Sequence, residues 1–198
     1  MFITFEGLDG SGKTTQTRLL AETLREEGRD VVETREPGGT PLGERIREVL
    51  LGEDAISPWT EAALFAAARA ELVDRVIGPA LDRGQDVVCD RYVDSSLAYQ
   101  GTARDLGVDR VLNLNLPAIR DVLPDRTFLL LIDPAESARR VGKGTDRIER
   151  EHDSFRAKVD EAYRVLAATF PQRIEPVDGA QPPDEIARLI FGQLRQRL

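Results

Sequence analysis

Cysteine and histidine are almost absent from this sequence, which contains only Cys89 and His152 among its 198 residues. One cysteine cannot form an intrachain disulfide, so a disulfide-stapled domain is excluded, and a single thiol fits a reducing compartment. The sequence contains no Cys/His metal pattern and no arrangement of nucleophile, base and acid that would indicate a catalytic triad. His152 lies between Glu151 and Asp153, so we expect it to be a surface side chain rather than a catalytic base.

Long apolar runs and net positive charge are missing as well. No apolar run is long enough to cross a membrane. The 27 basic and 35 acidic residues leave a net charge of −8, which argues against general binding to nucleic acids or membrane surfaces. A small anionic ligand held by a local basic cluster is still compatible with this charge. The chain enters a predicted strand without a charged leader or a cleavage site, so we expect a cytoplasmic protein.

The overall composition is that of one ordinary globular domain. A length of 198 residues suffices for one well-packed core, and 41% hydrophobic with 31% charged residues is typical of such domains. The sequence has no internal repeat, no low-complexity segment and no linker-like stretch. We therefore predict a single domain over residues 1–198.

The stretch Glu6–Thr15 contains the complete phosphate-loop pattern, with Gly7, four residues, and then Gly12, Lys13 and Thr14. Glycines let backbone N–H groups surround phosphate oxygens, and Lys13 supplies a positive charge for the β and γ phosphates. The Thr14 hydroxyl is an oxygen ligand suited to Mg²⁺. A flexible turn is the alternative, but a predicted strand at 2–6 and a predicted helix at 13–27 flank the loop as the motif requires. We assign nucleotide binding to Gly7, Leu8, Asp9, Gly10, Ser11, Gly12, Lys13, Thr14 and Thr15.

Predicted strands alternate with predicted helices along the whole chain. This alternation indicates a parallel sheet covered by helices on both faces, with ligands bound at the carboxyl ends of the strands. The segments Gly7–Thr15, Arg35–Gly39 and Asp90–Tyr92 each follow a strand, so we expect them to meet in one crevice. Strands are predicted at about 2–6, 30–35, 86–90, 127–133 and 173–176. Helical segments are predicted at about 13–27, 41–51, 58–83, 93–123 with breaks at Gly101, Gly107 and Pro117, 134–170 with a basic loop, and from 182 onward.

Two smaller patterns are ambiguous from the residues alone. Asp90 and Arg91 end the third strand, where they could hold Mg²⁺ and a phosphate, or form a structural ion pair. Phe65 and Arg69 share one helix face and could stack on a base and bond its edge. Their spacing by itself favours a core phenylalanine and a solvated arginine.

A basic, glycine-hinged segment follows the fourth predicted strand. Arg139, Arg140 and Lys143 lie near Gly142 and Gly144, which would suit a lid that closes over a triphosphate at about 139–150. An exposed charged turn is the ordinary alternative. The phosphate loop upstream favours the lid.

Five segments together resemble the thymidylate kinase family, in the right order and over almost the whole chain. They are Glu6–Thr15, Thr34–Thr40, Phe65–Arg69, Asp90–Tyr92 with Ser95–Gly101, and Asp146–Glu149. The resemblance implies a three-layer P-loop nucleoside monophosphate kinase fold with a five-stranded parallel sheet. It also implies transfer of the γ-phosphoryl group of ATP to dTMP with Mg²⁺, for dTTP supply, and a homodimer that packs long helices together.

The same resemblance implies roles for individual residues. Phe65 would stack on thymine, Arg69 and Ser96 would contact the base, and Tyr99 would exclude a ribose hydroxyl. The dTMP site would comprise Asp9, Arg35, Pro37, Arg47, Phe65, Arg69, Arg91, Ser95, Ser96, Tyr99 and Gln100. Catalysis would rest on Lys13, Asp9, Arg91, Arg140 and Lys143, ATP binding on the loop with Arg139 and Arg140, and the metal on Thr14 and Asp90.

One position departs from part of the family. Some members carry an arginine in the phosphate loop directly after the aspartate, where this chain has Gly10. The chain therefore resembles the bacterial branch, which supplies its catalytic cation from the lid. A kinase of another nucleoside or nucleoside monophosphate and a non-catalytic nucleotide sensor are the alternatives. The sensor would leave Phe65, Arg69 and the Ser95–Gly101 stretch without a role.

Overall fold

The computed structural model describes residues 1–144 and 146–195 and contains a five-stranded parallel sheet in the order β2-β3-β1-β4-β5. The strands are β1 (Phe2–Gly7), β2 (Val31–Arg35), β3 (Asp86–Asp90), β4 (Arg126–Leu131) and β5 (Ile174–Asp178). The helices are α1 (Lys13–Glu26), α2 (Pro41–Leu51), α3 (Pro58–Leu72), α4 (Gly78–Asp82), α5 (Val93–Ser96), α6 (Val108–Ile119), α7 (Pro134–Val141), α8 (Asp153–Thr169) and α9 (Pro183–Arg195). Two π-helical stretches, Val73–Ile77 and Leu97–Ala103, connect α3 to α4 and extend α5. This architecture confirms the predicted fold class.

Helices cover both faces of the sheet because successive strand residues point to opposite sides. On one face, Ile3 and Phe5 of β1 pack with α1 and α9. On the other face, Leu129 of β4 packs with α6 and α8, and Phe2 of β1 packs with α3. The central strand β1 pairs with β3 and β4, so its carboxyl end, where the phosphate loop begins, lies in the middle of the sheet edge.

Three helices begin with the same N-capping pattern. Thr40-Pro41, Ser57-Pro58 and Asp133-Pro134 each place a side-chain acceptor at the cap and a proline at the first helical position. The cap oxygens accept from backbone N–H groups two or three residues later, at 2.7–3.3 Å. Each cap oxygen thereby pairs a backbone N–H group that has no acceptor inside the helix. Proline has no N–H group, so at the first helical position it loses no hydrogen bond.

Two of the predicted breaks in the segment 93–123 are wrong. Gly101 lies inside the π-helical stretch, where a Cβ would come within 3.1 Å of the Cα of Val108, so this glycine permits close packing instead of ending a helix. Pro117 lies inside α6, only two residues before its end at Ile119, so it removes one hydrogen bond from the last turn. The remaining differences are shifts of element ends, together with the π-helical stretch inside the predicted helix 58–83.

Thr145, within the predicted lid, and residues 196–198 of the predicted single domain lie outside the described residues. Within the residues described, no helix has both the length and the apolar character needed to cross a bilayer.

Replacing Phe128 with alanine tests the packing of β4 against β1. The Phe128 ring is fully buried, with its centroid 5.7 Å from that of Phe5. Phe128→Ala should lower the free energy of unfolding by about 3–5 kcal/mol, because it removes buried apolar surface and leaves a cavity. Urea denaturation measures this loss. Val165→Ala, at a residue that is 55% exposed on α8, should stay within about 0.5 kcal/mol of the parent protein, and equal losses for both variants would contradict the assignment.

Candidate active site

A cavity of about 410 Å³ opens at the carboxyl ends of β1, β2 and β3. The phosphate loop, the segment after β2 and the end of β3 all contribute to its wall, so the three predicted segments do converge. The lining residues are Asp9, Gly10, Gly12, Lys13, Thr14, Thr15, Arg35, Glu36, Pro37, Arg47, Leu51, Phe65, Asp90, Arg91, Ser95, Tyr99, Gln100, Asp146, Ile148 and Glu149.

The phosphate loop has the conformation its sequence requires. Gly7 has φ +139°, and a Cβ there would come within 2.4 Å of the Leu130 carbonyl oxygen, so a larger residue would displace the neighbouring strand. Helix α1 begins at Lys13 and directs its N-terminal N–H groups toward the cavity, which favours a bound anion. Leu8 and Ser11 are buried behind the cavity wall.

Lys13 is a buried cation held by its own loop. Its Nζ donates to the Leu8 carbonyl oxygen at 2.8 Å. Burial, aided by the nearby charge of Arg91, lowers the pKa of Lys13 to about 8, and Asp9 and Asp90 limit this fall. A polyphosphate that contacts Lys13 would replace the lost hydration and favour the charged form.

Thr14 and Asp90 provide a set of oxygen atoms that fits Mg²⁺. Thr14 Oγ1 donates to Asp90 Oδ2 at 2.5 Å, and Asp90 Oδ1 is buried without a hydrogen-bond partner among the described residues. The described residues contain no cluster of three or more metal-ligating side chains. Mg²⁺ is usually held by one or two protein oxygens and completed by phosphates and water, and Thr14 and Asp90 would supply those protein oxygens.

Arg91 connects the phosphate loop to the opposite cavity wall. Its Nη2 donates to Asp9 Oδ1 at 2.5 Å, and its Nη1 donates to the Gly7 carbonyl oxygen at 2.9 Å. Arg91 has φ +70°, a conformation that costs energy for a residue with a side chain and is common at functional sites. Burial raises the pKa of Asp9, but the charges of Arg91 and Lys13 outweigh burial and keep this pKa below its ordinary value.

Phe65 and Arg69 have different environments although they share one helix. Phe65 is half-buried and lines the cavity. Arg69 is buried, so the solvated arginine that the spacing alone favoured is wrong. Its guanidinium donates to Glu36 through Nε and Nη2, to Ser96 Oγ and Asn115 Oδ1 through Nη1, and to the Tyr92 carbonyl oxygen through Nη2.

Arg69 and Ser96 therefore lie behind the cavity wall, and Glu36 lies between Arg69 and the cavity. Burial raises the pKa of Glu36 to about 7, and the paired guanidinium of Arg69 limits the rise. Glu36 lies in the segment Arg35–Gly39 that was predicted to reach the crevice, but no individual role was predicted for it.

Arg35 and Arg47 form the cationic side of the cavity together with Arg91. Arg47 Nη1 donates to the Pro37 carbonyl oxygen at 2.8 Å, and Arg35 Nη2 is paired with Glu44 at 2.9 Å. Burial and the charge of Arg35 lower the pKa of Arg47. An anion would relieve this repulsion.

The predicted lid cations are not on the cavity wall. Arg139, Arg140 and Lys143 are exposed, and both arginines pair with Glu136. Arg140 instead packs on the phosphate loop: a Cβ at Gly10 would come within 3.0 Å of the Cβ of Arg140.

The segment directly after them lines the cavity with Asp146, Ile148 and Glu149. These three residues belong to the lid predicted at about 139–150, although no individual role was predicted for any of them. Leu51 was also missed, and an apolar residue at the end of a helix carries no signal of a site.

The fold and the site together define a class of enzyme. The phosphate loop lies at the centre of a parallel five-stranded sheet and faces a second cationic wall across one cavity. This arrangement defines a P-loop kinase that acts on a phosphorylated acceptor.

The family model for thymidylate kinase matches residues 5–190. The chain is 46% identical to the thymidylate kinase of Caldanaerobacter subterraneus, covering 100% of this chain and 96% of that protein. It is 50% identical to that of Alkalilimnicola ehrlichii, covering 93% and 88%. The crystal structure of thymidylate kinase from Ehrlichia chaffeensis matches with a TM-score of 0.82 and 35% identity over 98% of both chains. The chain therefore belongs to the thymidylate kinase family.

The lowered pKa of Lys13 predicts a basic limit to activity. As the pH rises through about 8, the free protein loses the Lys13 ammonium, so kcat/KM for ATP should fall above that pH. The limit on kcat should lie at higher pH, because bound phosphates favour the charged lysine. Steady-state pH profiles measure both. In Lys13→Arg, whose guanidinium stays charged, the residual activity should lack this limit, and an unchanged limit would assign it to another group.

Proposed function

We propose that this chain transfers the γ-phosphoryl group of ATP to dTMP, giving dTDP and ADP. The observation that carries the proposal is that Lys13 of the phosphate loop and Phe65 of the opposite wall line one continuous cavity. A donor phosphate and an acceptor nucleotide could therefore meet without leaving the protein. Such positioning supplies a large part of the rate in phosphoryl transfer.

On the donor side, the loop Gly7–Thr15 would hold the ATP phosphates. Lys13 would neutralise charge that develops on the transferred group. Thr14 and Asp90 would hold Mg²⁺, which supplies charge neutralisation between the phosphates when bound. Arg139, Arg140 and Lys143 are proposed as lid cations for the same phosphates, and Arg140 already lies against the loop at Gly10.

On the acceptor side, Arg91, Arg35 and Arg47 would bind the dTMP phosphate. This phosphate is already an anionic nucleophile, so no side chain has to remove a proton, which fits a cavity without histidine. Among the residues described, the one histidine, His152, is not in the cavity wall.

The base and sugar of dTMP would lie against the opposite wall. Phe65 would stack on thymine, while Pro37, Ser95, Tyr99 and Gln100 would complete the pocket. The Tyr99 hydroxyl lies 3.3 Å from both Arg91 Nη2 and Asp9 Oδ2, which supports a position beside the sugar. Arg69 and Ser96 are buried behind the wall, so a direct contact of either side chain with the base would require a shift of the wall at Glu36.

We also propose a homodimer and a cytoplasmic location. Exposed apolar residues on adjoining helices support a dimer face, with Val49 on α2, Trp59 on α3 and Leu116 on α6. Sedimentation should report twice the chain mass of 22.0 kDa. Cys89 is a buried free thiol, which is compatible with a reducing compartment.

An acceptor panel tests the proposed reaction. ADP release would be measured with MgATP and dTMP, dUMP, TMP, dCMP, dGMP, AMP or thymidine. We expect a strong preference for dTMP, with residual turnover of dUMP because a missing methyl group is worth only about 1–3 kcal/mol. Preference for thymidine or another monophosphate would replace the acceptor assignment, and ATP binding without acceptor-dependent turnover would favour a nucleotide sensor. Lys13→Ala, which lacks the loop charge, is the inactive control.

The variant Phe65→Ala tests the stacking role. Loss of a base–aromatic stack worth about 1–3 kcal/mol should raise the KM for dTMP by about 5- to 150-fold and leave the KM for ATP nearly unchanged. Steady-state kinetics with each substrate varied in turn measure this split. Phe170→Ala, at a 40% exposed aromatic residue outside the cavity wall, is the matched control. Equal increases in both KM values would instead indicate that Phe65 has a packing role.

A further inference from the structure

Glu6 is a fully buried carboxylate that lies behind the cavity wall at the end of β1. It accepts four hydrogen bonds. The backbone N–H groups of Tyr92 and Ser95 donate to Oε1 at 2.8 and 3.2 Å. The hydroxyls of Ser95 and Tyr163 donate to Oε2 at 2.6 and 2.8 Å. None of the functions assigned above uses this carboxylate.

The four bonds restrict the proton arrangement around Glu6. Burial and the nearby Asp94 carboxylate raise the pKa of Glu6, and the charge of Arg91 with the hydrogen bonds from Ser95 and Tyr92 limits the rise. In its charged form the carboxylate offers about four acceptor positions, and four donors face them here. A hydroxyl has one proton to donate, and the Ser95 and Tyr163 oxygens also lie within hydrogen-bond distance of each other, at 2.9 Å. At least one of the two protons therefore goes to Glu6, and the oxygen that gives it up can only accept hydrogen bonds from other groups.

The donor that faces these two oxygens is Arg91. Its Nη1 lies 3.1 Å from Ser95 Oγ and 3.2 Å from the Tyr163 hydroxyl. The same nitrogen donates to the Gly7 carbonyl oxygen, so the inner edge of the guanidinium is surrounded by acceptors. The outer nitrogen Nη2 is directed toward Asp9 and the cavity.

We propose that Glu6 is a positioning residue for Arg91. By taking the proton of at least one of Ser95 and Tyr163, it turns hydroxyl lone pairs toward the guanidinium and fixes its plane at the cavity. The inference deepens the proposed function and rests on it where it concerns turnover. If Glu6 could not accept these protons, either hydroxyl could direct its proton at Arg91, and the two donors would repel.

The variant Glu6→Gln tests this role with little change in shape. An amide NH₂ group cannot accept the hydroxyl protons, so at least one of Ser95 and Tyr163 loses its carboxylate acceptor and becomes free to direct its proton toward Arg91. We expect kcat with dTMP to fall by about 100-fold, the size of effect seen when one preorganised donor is lost, while the KM for ATP stays within about twofold. Tyr163→Phe removes only one of the two acceptors and should lose about tenfold or less.

Asp86→Asn is the matched control for loss of a buried carboxylate. Asp86 is buried and paired with Arg29 and the N-terminal amine, at the amino end of β3, away from the cavity. This variant should be less stable but keep the parent kcat. An equal loss of kcat in Asp86→Asn would mean that Glu6→Gln acts through stability, and this would overturn the proposal.

A second readout does not depend on turnover. The guanidinium ¹⁵N resonances of Arg91, assigned with Arg91→Lys, should show hindered rotation in the parent protein and averaged signals in Glu6→Gln. Unchanged Arg91 signals in Glu6→Gln would overturn the positioning role even if dTMP proves to be the wrong acceptor. Conversely, absence of dTMP turnover in the parent protein would reject only the proposed function.

If Glu6→Gln does not fold, the double variant Ser95→Ala/Tyr163→Phe takes its place. It retains the carboxylate but removes both oxygens that face Arg91. It should show the same averaged Arg91 signals, and hindered rotation in this variant would overturn the proposal.

Discussion

The ion pair between Asp9 and Arg91 joins the two loops on which the site depends. Asp9 belongs to the phosphate loop after β1, and Arg91 directly follows β3, the neighbouring strand. Arg91 is mostly buried and Asp9 is partly exposed, with 14% and 30% of their side-chain surfaces accessible, so loss of Asp9 would leave a buried charge poorly compensated. The donor and acceptor sides of the cavity are therefore parts of one packed unit, and their separation is set by the spacing of two adjacent strands.

The charged side chains of this unit are fixed by successive layers of hydrogen-bonded side chains behind them. Behind Arg91 lie Ser95, Tyr163 and Glu6, and behind Glu36 lies Arg69. The hydrogen bonds of each layer restrict the orientations that the side chains of the next layer can adopt. This arrangement suits phosphoryl transfer, in which placement of charge matters more than proton removal by a side chain.

The fold and the phosphate loop were predictable because their signals are local. Strand–loop–helix order, glycine spacing and apolar alternation are all contained within short segments. The environment of Arg69 was not predictable from spacing, because its burial depends on Glu36, which lies 33 residues earlier and meets it only in the folded chain. The same holds for Glu6, whose partner Tyr163 is 157 residues away. Asp146 and Glu149 fall within the predicted lid, but their individual places in the cavity wall were not predicted, because a charged turn and a site wall have the same composition.

Gly10 allows the phosphate loop to pack closely against α7. A Cβ added at Gly10 would lie 3.0 Å from the Cβ of Arg140 on α7. The Ser137 hydroxyl of the same helix donates to the Asp9 carbonyl oxygen at 2.7 Å. The loop and α7 are thus packed directly against each other, and any side chain at position 10 would press on α7. A larger residue at position 10 would therefore be accommodated only by a displacement of α7, which carries Arg139 and Arg140.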